Sequence, residues 1–354
     1  MSKIEVGAIG KSPEMKEKKR EEVFITGLRP TSEDLHVGNY LGAMRDVVGL
    51  QKEGRPFFVF VADLHAMTTH KPAEAYKNTQ SILINYLAAG VNSELCYFYV
   101  QSSFTDRILR LEMLLSSFFS VVEAMRVPTL KDKIDDPKKA NLLLLRYPTL
   151  MAADILGMRA KKVPIGEDQV AHIEVSRLLA RRFNKEYGNV FPLPEAFATK
   201  PLRLPSLDTK GKMSKSNPRG AVFLTDSKAD IERKIGKAVT EVLEGKPKKM
   251  SSQVAGLFTM GRELKPSLEE VRMLAQMEKE YWQGGLQFSQ LKNVVAEVVV
   301  RFVGEFQLEK EKWEKEPEQV EKMLKKGTEV ARTRIDETME LVYEAIGTSL
   351  GSSW

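Results

Sequence analysis

The chain has 354 residues, 42% hydrophobic and 29% charged, with a formal net charge of +6. That length supports a sizeable core and two domains, and no apolar run approaches the roughly 20 residues that cross a bilayer. A single cysteine, Cys96, excludes an intramolecular disulfide and any cysteine-only metal or iron–sulfur site.

Residues 1–22 carry six Lys or Arg and five Asp or Glu. They have neither an apolar stretch nor a cleavage pattern, so they read as a charged extension rather than a secretory signal, and a cytoplasmic location is expected. Charge is unevenly spread. Residues 23–261 hold 34 basic against 25 acidic side chains, and residues 262–346 hold 14 against 18. A basic first part suits a polyanionic partner, although a margin of this size is common in globular proteins.

Val23-Phe24-Ile25-Thr26-Gly27 reads as a buried strand, followed by a loop over 28–35. Residues 38–50 read as a helix with Leu41, Met44, Val47 and Val48 inward. His36 and Asn39 therefore fall at a strand-to-helix junction, where free N–H groups and a partial positive charge suit phosphate. Gly38 lets a ligand approach the backbone. Plain helix-entry roles for His36 and Asn39 are the competing reading.

Phe57-Phe58-Val59-Phe60-Val61-Ala62 is a second strand, 73–89 a helix, and 96–100 a third strand with Cys96 as a small buried residue. Alternating strands and helices imply parallel crossovers and a doubly wound sheet, whose ligands bind beyond the carboxyl ends of the strands. Asp63-Leu64-His65 follows the second strand at that edge. His65 is either a pocket residue or a satisfied structural histidine. Residues 107–125 read as one long helix. Residues 126–139 read as an exposed loop, mostly solvated, with Lys131 and Lys133 as candidate phosphate contacts.

Residues 141–158 are overwhelmingly apolar yet contain Asp154 between Ala153 and Ile155. A carboxylate there needs a partner, because burying it unpaired is costly. Arg146, Arg159 or a helix N-terminus would satisfy it, and so would a ligand N–H inside an apolar pocket. A short strand over 161–165 precedes a helix over 170–187. Glu167, Asp168 and Gln169 lie in its first turn, where capping and ligand binding are both open readings. Residues 188–207 read as a Pro-rich connection.

Lys212-Met213-Ser214-Lys215-Ser216 sits between flanks rich in Gly, Asn, Asp and Pro, so it reads as a loop. Two ammonium groups three residues apart can clamp a polyanion such as a nucleoside triphosphate, whereas a solvated basic loop is the plain alternative. A helix follows over 228–242, and a Lys/Pro/Ser linker places a domain boundary near 250. Everything from 267 reads as helical. Val320, Met323, Leu324, Gly327, Val330, Ala331, Ile335, Met339, Val342 and Ile346 form one face of a long amphipathic helix. Residues 348–354 read as a tail.

His36-Val37-Gly38-Asn39 and Lys212-Met213-Ser214-Lys215-Ser216, in that order, resemble the two signatures of class I aminoacyl-tRNA synthetases. The similarity extends through Thr26-Gly27-Leu28-Arg29-Pro30-Thr31, Ala62-Asp63-Leu64-His65-Ala66, the run from Tyr147 to Leu156, Gly166-Glu167-Asp168-Gln169, and Gly327-Thr328-Glu329-Val330-Ala331-Arg332. Together these segments resemble the tryptophanyl-tRNA synthetase family over roughly residues 23–347. The segments around Asp154 and Gly166 favour tryptophan over tyrosine.

The resemblance implies an α/β fold, with a Rossmann-like doubly wound catalytic domain over 23–250 and an all-helical anticodon-binding domain over 251–347. It implies that Arg29, Pro30, Thr31, His36, Gly38 and Asn39 line an ATP site. Gly166, Glu167 and Asp168 would lie by the adenosine and ammonium groups, and Leu204 by adenine. Lys212, Met213, Ser214, Lys215 and Ser216 would hold the triphosphate, with Lys212, Lys215, His36 and Asn39 as the catalytic set. Asp154 would accept the indole N–H. Met151, Tyr147, His65, Ile25, Val163, Ile165 and Gln169 would form or adjoin the tryptophan pocket.

Two positions depart from the family pattern. Arg29 stands where many relatives have Gln and others have Arg, and Asn39 stands where the class has a second His, as it does in many tryptophan enzymes. Some relatives carry a cysteine-ligated iron–sulfur cluster, which one cysteine cannot hold. The implied activity is tryptophan activation with ATP and Mg²⁺, transfer to tRNA(Trp), and a homodimeric assembly, with no protein metal ligands. A tyrosyl-tRNA synthetase, an inactive synthetase paralogue used for binding, and a nucleotidyltransferase of the same superfamily are the rival readings. The net negative charge of the helical part sits awkwardly with RNA contact, although Lys325-Lys326 and Arg332-Arg334 offer local positive patches.

Overall fold

The computed structural model describes residues 23–28, 30, 35–51, 57–68, 79–128, 130, 141–165, 170–198, 202–208, 211–243 and 245–348. Among the described residues five strands form one sheet: β1 (Phe24–Leu28), β2 (Phe57–Val61), β3 (Cys96–Val100), β4 (Lys162–Ile165) and β5 (Glu195–Ala198). Every pairing is parallel and the spatial order is β3-β2-β1-β4-β5. The doubly wound sheet read from the alternation of strands and helices is therefore present. Its order reverses between β1 and β4, and such a switch point opens a crevice at the carboxyl ends of the strands.

β2 and β3 carry only apolar and aromatic residues because both sheet faces are covered there, whereas β4 and β5 open on Lys162 and Glu195, which pair at 2.6 Å. Alternate residues feed two cores. Phe24, Leu28, Phe57, Val59, Cys96 and Phe98 belong to one, and Val23, Ile25, Phe58, Phe60, Tyr99 and Val163 to the other. Cys96 is a buried strand residue, as expected.

In chain order the helices are α1 (Val37–Asn39), α2 (Arg45–Leu50), α3 (Asp63–Ala66), α4 (Thr79–Ala88), α5 (Thr105–Ser116), α6 (Val121–Met125), α7 (Leu142–Gly157), α8 (Val170–Tyr187), α9 (Lys228–Gly236), α10 (Ser252–Glu263), α11 (Leu268–Gln283), α12 (Phe288–Glu314) and α13 (Pro317–Ile346). A π-helical stretch, Tyr40–Met44, joins α1 to α2. One core passes from the sheet through α9 to α12 without interruption. The apolar face read on α13 is buried at Val320, Gly327, Ala331, Ile335, Met339 and Val342.

Three sequence expectations need correcting. The helix read over 107–125 is two helices. Ser117 Oγ donates to the Leu114 carbonyl at 2.6 Å, and Ser120 caps α6 in a reciprocal box with Glu123. The connection over 188–207 contains β5, a four-residue strand at the sheet edge, where flanking prolines are tolerated. The helix read over 228–242 ends at Gly236. Residues 73–78 of the helix read over 73–89, and most of the basic loop with Lys131 and Lys133, lie outside the described residues.

Candidate active site

His36 is the N-cap of α1. Its Nδ1 accepts from the Asn39 N–H at 3.2 Å, and the Asn39 side-chain oxygen accepts from the His36 N–H at 3.0 Å. The first and last residues of the HVGN signature therefore lock each other at a helix start. Because Nδ1 accepts, a neutral His36 carries its ring proton on Nε2. His36 is buried, and burial pushes its imidazole down to about 4, helped by the positive charges of Lys215 and Lys212. Those charges come from the second signature, so the two signatures meet in space although 175 positions separate their first residues.

A Cβ on Gly38 would stand 2.9 Å from His36 Nδ1 and 3.7 Å from Met213 Cβ. The absence of a side chain at Gly38 makes room for the His36 ring, and Met213 lies at ordinary contact distance from the same spot, which is where the KMSKS loop meets the α1 N-terminus. Met213 is buried, and its N–H donates to the Leu204 carbonyl at 2.8 Å. Lys212 bridges Pro205 on the same short ladder. Anchoring Met213 leaves its neighbours outward: Lys212 and Ser216 are exposed, and Ser214 and Lys215 are half-buried. Ser214 and Ser216 hydroxyls lie 3.1 Å apart. Asn217 closes the loop by donating to Asp208 at 2.7 Å and to Ser206 at 3.1 Å. The loop is thus tethered at both ends. Pro30 is buried after β1.

Asp154 lies on α7 with 1% of its surface exposed. Its partners are neither Arg146 nor a helix N-terminus. His65 Nε2 approaches Oδ2 at 2.9 Å, and Gln101 Nε2 donates to Oδ1 at 2.9 Å and Oδ2 at 2.8 Å. Arg146 pairs instead with Glu112, which also accepts from Thr149 and Ser116. Burial raises the Asp154 carboxyl above its usual range, while the hydrogen bonds from His65 and Gln101 pull the other way. His65 Nδ1 is buried with no hydrogen-bond partner among the described residues.

This network stands at the carboxyl edge of the sheet. His65 follows β2 and Gln101 follows β3. Asp63 ties the two strand ends together by accepting from the Ser102 N–H at 3.0 Å. Around it, the Tyr147 ring meets His65 at 4.7 Å and His172 at 5.0 Å between centroids. Ile25 and Val163 are buried in the same core, and Met151 packs partly buried against it.

Arg29, Thr31, Gly166, Glu167, Asp168 and Gln169 lie outside the described residues, and Ile165 is described only as the end of β4. Gln101, Asp63 and His172 were not singled out in the sequence. Gln101 carried one usable signal, a polar residue directly after a buried strand at the ligand-binding edge. Among the described residues no three acidic, His or Cys side chains gather to hold a metal. The signatures offer ammonium, imidazole and hydroxyl groups, which do not form a resident divalent-cation site.

Comparison with known proteins bears on this geometry. Residues 16–304 match the family described as tRNA synthetases class I (W and Y). The chain is 36% identical to a tryptophan–tRNA ligase of Porphyromonas gingivalis, covering 92% of this chain and 99% of that one. It is 31% identical to a tryptophan–tRNA ligase of Treponema pallidum, over 92% and 96%. The fold superposes on tryptophanyl-tRNA synthetase from Campylobacter jejuni, solved with ADP and tryptophan, with a TM-score of 0.75 at 29% identity over 92% of this chain and 99% of that one. For the Mycoplasma pneumoniae tryptophanyl-tRNA synthetase the TM-score is 0.78 at 29% identity, over 93% and 98%. Likeness in sequence and in fold runs almost end to end, and the chain belongs to the tryptophanyl-tRNA synthetase family of class I tRNA synthetases.

Proposed function

We infer that this chain is an ATP-dependent tryptophan–tRNA ligase. It activates L-tryptophan to the adenylate and transfers the amino acid to the 3′ end of tRNA(Trp). The observation that carries the chemistry is the meeting of His36, Gly38 and Met213 at the carboxyl edge of a parallel sheet, with Lys212 and Lys215 beside them.

In the first step a carboxylate oxygen of tryptophan attacks the α-phosphorus of ATP. The bond from that phosphorus to the bridging oxygen breaks, and pyrophosphate leaves with the electron pair. In the second step a terminal ribose hydroxyl of the tRNA attacks the adenylate carbonyl, and AMP leaves. Neither step needs a protein nucleophile, so catalysis rests on positioning and charge stabilisation. His36 Nε2–H faces phosphate as a neutral donor. Lys212 and Lys215 take up the charge that develops on pyrophosphate, and Ser214 and Ser216 add hydroxyl donors. Arg29, Pro30, Thr31, Leu204, Gly166, Glu167 and Asp168 complete the nucleotide site in this proposal. Mg²⁺ would be held by the nucleotide rather than by side chains of this chain, and would supply charge neutralisation on the phosphates.

Specificity for tryptophan is assigned to Asp154. A carboxylate offers about four acceptor positions. His65 and Gln101 use three of them, which leaves one for an indole N–H. Phenylalanine cannot fill that position, and a site built around a substrate N–H discriminates strongly against an analogue without one. Tyr147, Met151, Ile25, Val163, His65 and Gln169 form the surrounding walls.

The assembly is proposed to be a homodimer in the cytoplasm, with residues 23–250 as the catalytic unit and 251–347 as the anticodon-binding unit. Among the described residues no helix is long and apolar enough to cross a membrane. Support for the dimer comes from an apolar surface spread over α5, α6 and the start of α7. Met113 there is 70% exposed and Leu142 77%, with Val121, Val122 and Met125 between them. The helices that carry these side chains pack on one another, and a cluster of exposed large apolar side chains suits an association site.

The test is amino-acid-dependent ATP–pyrophosphate exchange on the purified protein, with Trp, Tyr and Phe in separate reactions. Exchange with Trp alone is expected. Exchange driven by Tyr would transfer the chain to the sister specificity, and no exchange in folded protein with Mg²⁺ would overturn the ligase reading.

A further inference from the structure

The chain leaves the KMSKS loop through Asn217-Pro218-Arg219-Gly220 and continues as a short strap, residues 221–226. On one side the strap pairs with the segment that opens α1. The Val37 N–H donates to the Val222 carbonyl at 2.9 Å, and the Leu224 N–H to the Leu35 carbonyl at 2.8 Å. His36 stands opposite Phe223 in this antiparallel bridge, with ring centroids 6.3 Å apart. The strap is therefore the covalent and hydrogen-bonded link between the two signatures.

Its far end is closed by Asp226, whose Oδ2 accepts from the Phe223 N–H at 2.8 Å and from Lys234 at 2.7 Å. The Lys234 ammonium also stands 4.9 Å from the centre of the Phe223 ring. A further grip comes from α12. Gln307 Nε2 donates to the Leu224 carbonyl and to the Asp226 carbonyl, each at 3.0 Å. A primary amide has two N–H groups, and both are spent on strap carbonyls. Gln307 lies in neither signature, and sequence reading gave it no role.

We propose that Gln307 is a positioning residue for ATP, holding the strap that sets His36 against the KMSKS lysines and so coupling the helical region to the activation step. The inference rests on the ligase reading above. Donors preset around a phosphate act strongly only if they stand in place before the substrate arrives. Without Gln307, two strap carbonyls lose their donor and the strap gains freedom, and His36 moves with it. The tryptophan pocket is built on α7 and the ends of β2 and β3, so its affinity is expected to stay.

The experiment compares Gln307→Met, which keeps length and bulk but removes both donors, with Gln307→Lys, which keeps a donor of similar reach. In tryptophan-dependent exchange the Met variant is expected to raise KM for ATP about tenfold, equivalent to about 1.4 kcal/mol and within reach of two lost hydrogen bonds. Tryptophan affinity by calorimetry should match wild type, the thermal midpoint should fall only by about 1–3 °C with unfolding still cooperative, and the Lys variant should recover most of the ATP effect. Unchanged ATP kinetics in the Met variant would overturn the proposal. So would a parallel loss of tryptophan and ATP affinity, or a Lys variant no better than Met. A wild-type protein without exchange would overturn the ligase reading itself, and the proposal with it.

Discussion

Asp154 and His36 are both buried, and their environments drive them in different ways. Asp154 keeps a carboxylate inside an apolar helix with help from His65 and Gln101. Replacing it with Ala is expected to raise KM for tryptophan by roughly 10- to 100-fold, the range for a hydrogen bond to a charged group, with KM for ATP little changed. Exchange assays varying each substrate separately measure this, and an equal rise in both would make Asp154 a structural residue only. His36 is held low, at about 4 against an ordinary 6.5. The unfolded chain therefore takes up a proton between those values that the folded chain refuses, so stability is present above pH 6.5 and is lost as pH falls toward 4. The loss from this one group is about 2 kcal/mol at pH 5. His36→Asn keeps an N-cap without a titrating ring, so urea unfolding at pH 7 and pH 5 should show a smaller acid loss in the variant. Asp154 was legible in the sequence because a carboxylate among alanines and leucines is conspicuous. Gln101 was not, because one polar residue after a strand is unremarkable until its partner's position is known.

Helix α13 illustrates how an element depends on one position. It crosses the edge of β3, placing Val320 in one core and Ala331, Ile335 and Met339 in the other. At the crossing a Cβ on Gly327 would stand 2.1 Å from the Phe98 carbonyl oxygen and 2.7 Å from its nitrogen. Backbone cannot yield as a flexible side chain can, so Gly327→Ala is expected to destabilise by about 3 kcal/mol, at the upper end for overpacking. Gly304 in α12 meets nothing within 4 Å, and Ala there should stabilise by about 0.5–1 kcal/mol through helix propensity. Paired urea denaturation of the two variants measures the contrast, and a harmless Gly327→Ala would contradict the docking of α13 on β3. The sequence placed the apolar face of α13 correctly, since that face is a matter of spacing. It missed β5 and the break at 117–120, because a four-residue edge strand and a serine-capped interruption leave little periodicity to read.

At the level of the whole molecule, the apolar surface around Met113 and Val122 separates a monomer from the proposed dimer. Introducing Asp at both positions should yield a monomer in sedimentation equilibrium under conditions where the wild type is a dimer, because two desolvated carboxylates per protomer would oppose association. A wild-type monomer would show that the surface serves something else. The sequence by itself determined the alternation of strands and helices, the parallel sheet, the helical C-terminal part, and the two signatures. These are local patterns, fixed by the side-chain period along the chain and by Gly, Pro and Asn at the turns. Only the tertiary structure decided that Met213 lies against Gly38, that Asp154 answers to His65 and Gln101, and that Gln307 holds the strap between the signatures. Each of these joins residues far apart in sequence, and a contact between distant segments leaves no periodic trace in either one.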